Sequence, residues 1–230
     1  MIDKITCVFL SNTKDLNLYG MTQRAINTLK LSQPDTNFKI KIVETNTNYL
    51  SEGFVYQGCD VITPNETFNY NRFLNFGIKD LETDWVIISN NDVIFTQNWL
   101  TQIDKVYEQY PDIKSLSPWE PNWHIKRGMK PDKLFHLGYR TSFEITGWCI
   151  VLHKSVIEQC KLFDEKFEFW YQDNDYALSL QSKNIKHALV CNSRVYHMVS
   201  GSHHLLTSEN KHNMTDGQSQ NLFKKWGNNV

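Results

Sequence analysis

The chain has 230 residues, 40% hydrophobic and 13% aromatic, with a formal net charge of −1. That length suffices for one large domain with a proper core. The near-zero charge excludes a global field drawing the protein onto nucleic acid or a membrane, so only a local patch could do so.

The five cysteines, Cys7, Cys59, Cys149, Cys160 and Cys191, are scattered, odd in number and never spaced as CxxC. Most read as small apolar residues in a reducing compartment. The N-terminal stretch has too short an apolar core for a signal peptide. No run approaches the roughly 20 apolar residues of a membrane span. A soluble, cytoplasmic protein is expected.

Ile5 to Leu10 reads as a strand closed by Ser11-Asn12-Thr13. A helix carrying Leu18, Met21, Ile26 and Leu29 on one face follows and ends at Pro34. Phe38 to Val43 alternates and then turns apolar, a second strand ending in Glu44-Thr45-Asn46. Phe54 to Ile62 is a weaker strand, and Asn69 caps a helix bearing Tyr70, Phe73, Leu74 and Ile78. In the stretch WVIISNND, the β-branched run Val86-Ile87-Ile88 stops in Ser89-Asn90-Asn91-Asp92. This predicts a strand buried on both faces. The next helix begins near Thr96 and carries Trp99, Leu100, Ile103, Val106 and Tyr107. Alternating strands and helices imply an α/β domain with a mostly parallel sheet. Ligands of such sheets gather beyond the carboxyl ends of the strands.

The texture changes at Ser117. Three prolines, two tryptophans and a cluster of Lys and Arg predict a long loop through Lys133. Phe143 to Leu152 resumes as a strand with Gly147-Trp148 inside it, and Lys154 to Cys160 is a short helix. Phe163 to Phe167 is a turn, and Trp170-Tyr171-Gln172-Asp173-Asn174-Asp175 opens a helix running to about Lys183. His187 to Cys191 is a strand, from which Arg194 to His197 extends away. A closing helix holds Leu222, Phe223 and Trp226. The expected division is one domain over 1–205 and a C-terminal extension over 206–230.

Five pieces in this order carry a resemblance: Glu44-Thr45-Asn46, the Asn-rich helix start Asn71-Arg72-Phe73-Leu74-Asn75, Asn90-Asn91-Asp92-Val93, Phe163-Asp164-Glu165 leading into Gln172-Asp173-Asn174-Asp175, and His197 followed by Ser200-Gly201-Ser202. Together they resemble a glycosyltransferase of the GT-A fold, a Rossmann-like single domain, close to family 2. The resemblance implies inverting transfer of a sugar from a nucleotide-sugar, with UDP the expected nucleotide. A divalent metal, Mn²⁺ or Mg²⁺, would bridge the diphosphate, held by Asp92 and His197. Asn90 stands where many relatives carry an acid, which lowers the site's charge. Asp173 would take the proton from the acceptor hydroxyl. Gln172 replaces the Glu usual before it, so Asp175 stays open as the alternative base. Leu10, Ser11, Glu44, Arg72, Asn90 and Asn91 would meet the donor, and Trp148 the sugar or acceptor. His203-His204 would extend a lid.

The acceptor is less legible. Between Trp119 and Lys133, aromatic rings alternate with Lys126, Arg127, Lys130 and Lys133. Such a mixture tracks a phosphate backbone and stacks on bases, and it equally serves as a solvated acceptor loop. A glycan or protein is the expected acceptor, and DNA with modified bases the alternative. Two rival enzyme classes fit less well. A metal phosphohydrolase commonly brings two metals' worth of ligands, and a glycoside hydrolase needs two facing carboxylates but no nucleotide pocket. A non-catalytic binding module would use the aromatics and ignore the acids.

Overall fold

A computed structural model describes residues 2–198 and 208–227. Ser200-Gly201-Ser202 and His203-His204 lie outside the described residues.

The first half follows the alternation of the sequence. Strand β1 (Lys4–Ser11) leads into α1 (Leu16–Ser32), β2 (Asn37–Glu44), β3 (Asp60–Ile62), α2 (Tyr70–Ile78) and β4 (Trp85–Asn90). Asp15 caps α1 by accepting from the amides of Asn17 and Leu18, and Asn69 caps α2 by accepting from that of Arg72. Then come β5 (Val93–Phe95), α3 (Trp99–Gln109), β6 (Ile113–Trp119), α4 (Pro121–Lys126), β7 (Phe135–Leu137), β8 (Cys149–His153), α5 (Lys154–Cys160), α6 (Gln172–Ser182), β9 (Lys186–His197) and α7 (Ser208–Trp226). Among the described residues nine strands form one mixed, mostly parallel sheet in the order β3-β2-β1-β4-β8-β6-β9-β5, with β7 also on β9. The run β3-β2-β1-β4 is parallel throughout, as is β6 with β9.

Both faces of this sheet are buried, which is why its strands read as apolar runs. Cys7, Phe9, Ile42 and Ile87 point to the side covered by α1 and α3. Val8, Val43, Val86 and Ile88 point to the side covered by α2, α5 and α6. Helix α2 lies directly on the sheet because residue 77 is glycine: a Cβ there would meet Val8 Cγ1 at 2.3 Å.

Several expectations need correction. The strand expected over Phe54–Ile62 is reduced to β3, because Phe54 and Tyr56 lie in irregular chain and pack their rings against Tyr19. The helix expected near Thr96 starts at Trp99, since Val93–Phe95 is used by β5. The loop expected from Ser117 contains the end of β6 and all of α4. Pro121 stands in the first turn of α4 and Glu120 caps it, accepting from the amide of Trp123. Residues 143–148 lie outside the strand, which begins at Cys149. His187 to His197 belongs to one strand, with a register shift where it leaves β6. No described helix is long and apolar enough to cross a membrane.

Candidate active site

The site grows from the carboxyl end of β4. There the chain turns through Asn91 and Asp92 into β5, whose Val93 pairs with His197 at the end of β9. The amide of Met198 donates to the carbonyl of Asp92 at 3.0 Å. Two residues 105 positions apart thereby become neighbours, and His197 Nε2 lies 3.1 Å from Asp92 Oδ1. The same ring nitrogen is 3.4 Å from Asn90 Nδ2. Asn91 turns away and donates to Thr22 Oγ1 at 2.9 Å, tying the turn to α1.

Trp148 walls this pair. Its indole stacks on the His197 ring at 5.0 Å and 20°. Its carbonyl accepts from the amide of Asn90 at 2.8 Å and from Ser89 Oγ at 3.2 Å. Trp148 is 7% exposed, and its Nε1 is buried with no hydrogen-bond partner among the described residues. A buried N–H of this kind costs about 1–3 kcal/mol until an acceptor reaches it.

The donor set at Asp92 and His197 fits a hard divalent ion. A carboxylate oxygen and an imidazole nitrogen suit Mg²⁺ or Mn²⁺. Their 3.1 Å separation matches the edge of about 3 Å between adjacent ligands of an octahedral ion bound at about 2.1 Å. No group of three or more His, Cys, Asp or Glu side chains gathers among the described residues. The pair therefore offers two ligands, which suits an ion that takes its other oxygens from phosphate and water.

Asp173 occupies the first turn of α6, after Tyr171 at a left-handed φ of 63°. Its carboxylate accepts from the backbone amide of Gly147. A Cβ on residue 147 would stand 2.6 Å from Asp173 Oδ1, so glycine is what allows the approach. Burial raises the Asp173 carboxyl above its ordinary range, and the hydrogen bonds from the Gly147 and Asp173 amides oppose this. The carboxylate borders a small cavity of about 20 Å³, lined also by Tyr70, Asn71, Gly147 and Gln172.

Tyr70 links the two acids. Its hydroxyl donates to Asn90 Oδ1 at 3.4 Å. Burial pushes its phenol well up, and the charges of Asp173 and then Asp92 push it further. The side chain therefore lies within the field of both carboxylates. In the sequence it stands only as one apolar-face residue of α2, and nothing local marks it for the site.

Asp175 is held elsewhere. Lys225 Nζ lies 2.8 Å from its Oδ1, and Trp226 Nε1 donates to the same oxygen at 2.7 Å. Lys225 also reaches Asp164 at 2.8 Å, so α7 clamps α6 to the 163–168 turn. Of the two carboxylates left open by the sequence, only Asp173 faces Gly147 and the cavity.

The expected donor contacts divide. Leu10 pairs with Asn90 across β1 and β4, at the strand ends beside the site. Ser11 is buried and shares hydrogen bonds with Thr13, Thr22 and Tyr56. Glu44 is buried as well, accepting from the amides of Thr13 at 2.9 Å and Asn46 at 2.8 Å, and from Tyr56 Oη at 3.2 Å. It thus ties together the loops after β1 and β2, and its carboxylate is already occupied. Arg72 pairs with Glu165 at 2.8 Å and Glu66 at 3.3 Å, so its guanidinium is engaged by two carboxylates. A cavity of about 270 Å³ opens beside Asp92, between α1 and β5, and is lined by Asn17, Met21, Arg24, Ile94 and Met198. Arg24 was not among the expected site residues, since an exposed helical arginine carries no sequence signal of its own.

No family model and no curated protein matches this chain. The arrangement supplies a carboxylate–imidazole pair at the end of β4, an adjoining cavity, and a half-buried carboxylate of raised pKa whose charge Tyr70 also senses. A carboxylate–imidazole pair can contribute ligands to a hard divalent ion, and a carboxylate of raised pKa can accept a proton.

Proposed function

We propose that the chain is an inverting, metal-dependent glycosyltransferase of the GT-A fold that moves a sugar from a nucleotide-sugar, with UDP as the nucleotide, to an acceptor hydroxyl in the cytoplasm. The observation that carries this reading is the pairing of Asp92 with His197 at 3.1 Å, with Tyr70 in the field of both Asp92 and the half-buried Asp173.

In this reading Asp92 and His197 hold the divalent ion, which when bound neutralises charge on the diphosphate leaving group. Trp148 keeps water from the His197 face and offers its unpartnered Nε1–H to a donor or acceptor oxygen. Asp173 takes the proton from the acceptor hydroxyl. That oxygen forms the new bond at the anomeric carbon as the sugar–phosphate bond breaks, and the electron pair leaves with the diphosphate. A single base without a carboxylate nucleophile gives inversion. The raised pKa of Asp173 suits a general base, whose strength grows as its pKa approaches the working pH.

Calorimetric titration with UDP, GDP, dTDP and CDP, each with Mn²⁺ and with EDTA, tests the reading. Binding of one nucleotide only with metal supports it and names the donor. Absence of binding by any of them overturns it.

A further inference from the structure

Beside the candidate site runs a ledge of cations. Helix α4 ends at Lys126, and Arg127, Lys130 and Lys133 follow it, all four exposed. None of them pairs with a carboxylate among the described residues, and Asp132 is the one acid between them. In a chain of 24 basic and 25 acidic residues, this cluster is a local excess.

The ledge is built on an anchored backbone. Met129, 9% exposed, packs into a cluster with Trp119, Leu189 and Cys191. Its amide donates to the carbonyl of His124 at 3.0 Å, across a turn in which Gly128 takes a φ of 75°. His136 Nε2 lies 2.9 Å from the carbonyl of Lys130, and the amide of Cys191 donates to the carbonyl of Leu134 at 3.1 Å. Met129 is thus drawn in, while Lys126, Arg127, Lys130 and Lys133 around it are exposed.

Rings connect this strip to the site. The Arg127 guanidinium lies over the Trp123 ring at 3.4 Å. Trp123 meets Trp148 edge-on at 5.1 Å, and Trp148 stacks on His197 at 5.0 Å. Trp123 Nε1 donates to the carbonyl of Ser142 at 2.9 Å, which fixes the indole. The cationic strip and the Asp92–His197 pair are thus two ends of one packed aromatic series.

We infer that this ledge docks a nucleic acid strand, with phosphates along Lys126 to Lys133 and a base against the Arg127–Trp123 stack, and that the strand is the acceptor. The acceptor assignment rests on the glycosyltransferase reading, whereas the docking surface does not. Unpaired cations alone would suit any polyanion. The flat guanidinium–indole layer at their edge favours a polymer carrying both phosphates and flat rings, because base stacking adds about 1–3 kcal/mol per base. A polyanionic glycan lacks that π-face, and a membrane surface would call for a broader apolar face than the exposed Ile125 supplies. A base presented to the site from a duplex would have to be extruded, at a cost of a few kcal/mol, so a single strand binds more readily.

Fluorescence anisotropy with labelled 20-nucleotide single-stranded DNA and RNA of mixed sequence, over a salt series, tests the inference. Four phosphate contacts on a single strand predict a slope of log affinity against log salt of about −3. Lys130→Gln combined with Lys133→Gln should cut the magnitude of that slope by about 1 to 2 and weaken binding roughly tenfold at low salt. Absence of binding to either strand at low salt overturns the inference. So does binding that the double variant leaves unchanged, or heparin or phosphatidylserine vesicles competing as well as DNA does. The UDP titration on the same preparations separates the two readings. UDP binding without strand binding removes this acceptor and keeps the transferase, and strand binding without UDP binding keeps the docking surface and removes the transferase.

Discussion

The Cβ position of residue 147 lies 2.6 Å from Asp173 Oδ1, so the candidate base and a glycine on the opposite loop fit together only while residue 147 has no side chain. Gly147→Ala should therefore displace Asp173 while leaving Asp92 and His197 in place. Metal-dependent nucleotide binding is expected to stay within about threefold of the parent, and turnover to fall about tenfold or more, as misplacing a catalytic group does. Equal losses in binding and turnover would show that the loop, and not Asp173, is what the glycine serves.

Asp173→Asn removes the proton acceptor and keeps the shape. Donor binding should persist, with turnover falling roughly 10²-fold or more. Because burial raises this carboxyl, the acid limb of the parent's turnover–pH profile should lie above the ordinary carboxylate range of about 4. Activity is lost as pH falls through that raised value. A profile flat down to pH 4 would remove Asp173 from the mechanism.

Asp92→Ala should abolish metal-dependent nucleotide binding, and His197→Ala should weaken it at least about tenfold, the scale expected for a lost metal ligand. Calorimetry with Mn²⁺ and EDTA reads both. Metal-dependent binding kept by Asp92→Ala would reduce that residue to a turn former.

His187 supplies a pH dependence of a different kind. It is fully buried, with Nδ1 2.6 Å from Ser115 Oγ and Nε2 2.9 Å from the carbonyl of Glu144, and burial lowers its pKa to about 4. The unfolded chain takes up a proton near pH 6.5, which the folded state refuses until about pH 4. Stability contributed by the neutral ring is thus complete above pH 6.5 and is lost between about 6.5 and 4, by about 3 kcal/mol in all. Urea denaturation at pH 7.5, 5.5 and 4.5 should show this slope in the parent and a shallower one in His187→Gln. Parallel slopes would contradict the assignment.

Lys225→Ala leaves the buried Asp175 with one partner, Trp226. A loss of about 2 kcal/mol is expected for removing a donor from a buried carboxylate, lowering the melting temperature by roughly 4–8 °C at this chain length. An unchanged melting temperature would mean that α7 contributes nothing to holding α6.

What the sequence made legible follows the range of the interactions. Helix α5 appears at Lys154–Cys160, as its pattern predicts, and Asn69 caps α2, because both depend on neighbours within a few residues. Strand β6 is hidden because Ser115, Ser117 and Pro118 interrupt its apolar run, yet Ser115 is buried against Tyr176 and His187, both far along the chain. The choice between Asp173 and Asp175 could not be made locally, since the partners of Asp175 stand fifty and fifty-one positions later. Glu44 is another such case. An acid at a strand end invites a ligand, and only the folded chain brings Thr13, Asn46 and Tyr56 to it.

The clamp of α7 on Asp175 also sets an order of events during synthesis. Asp175 leaves the ribosome fifty residues ahead of Lys225, an interval of roughly 3–10 s at about 5–20 residues per second. Through that interval the carboxylate must stay hydrated or protonated, because its compensating charge does not yet exist. Helix α6 is therefore held less firmly until α7 emerges, and the half of the site that bears Asp173 gains its full support after the half that bears Asp92.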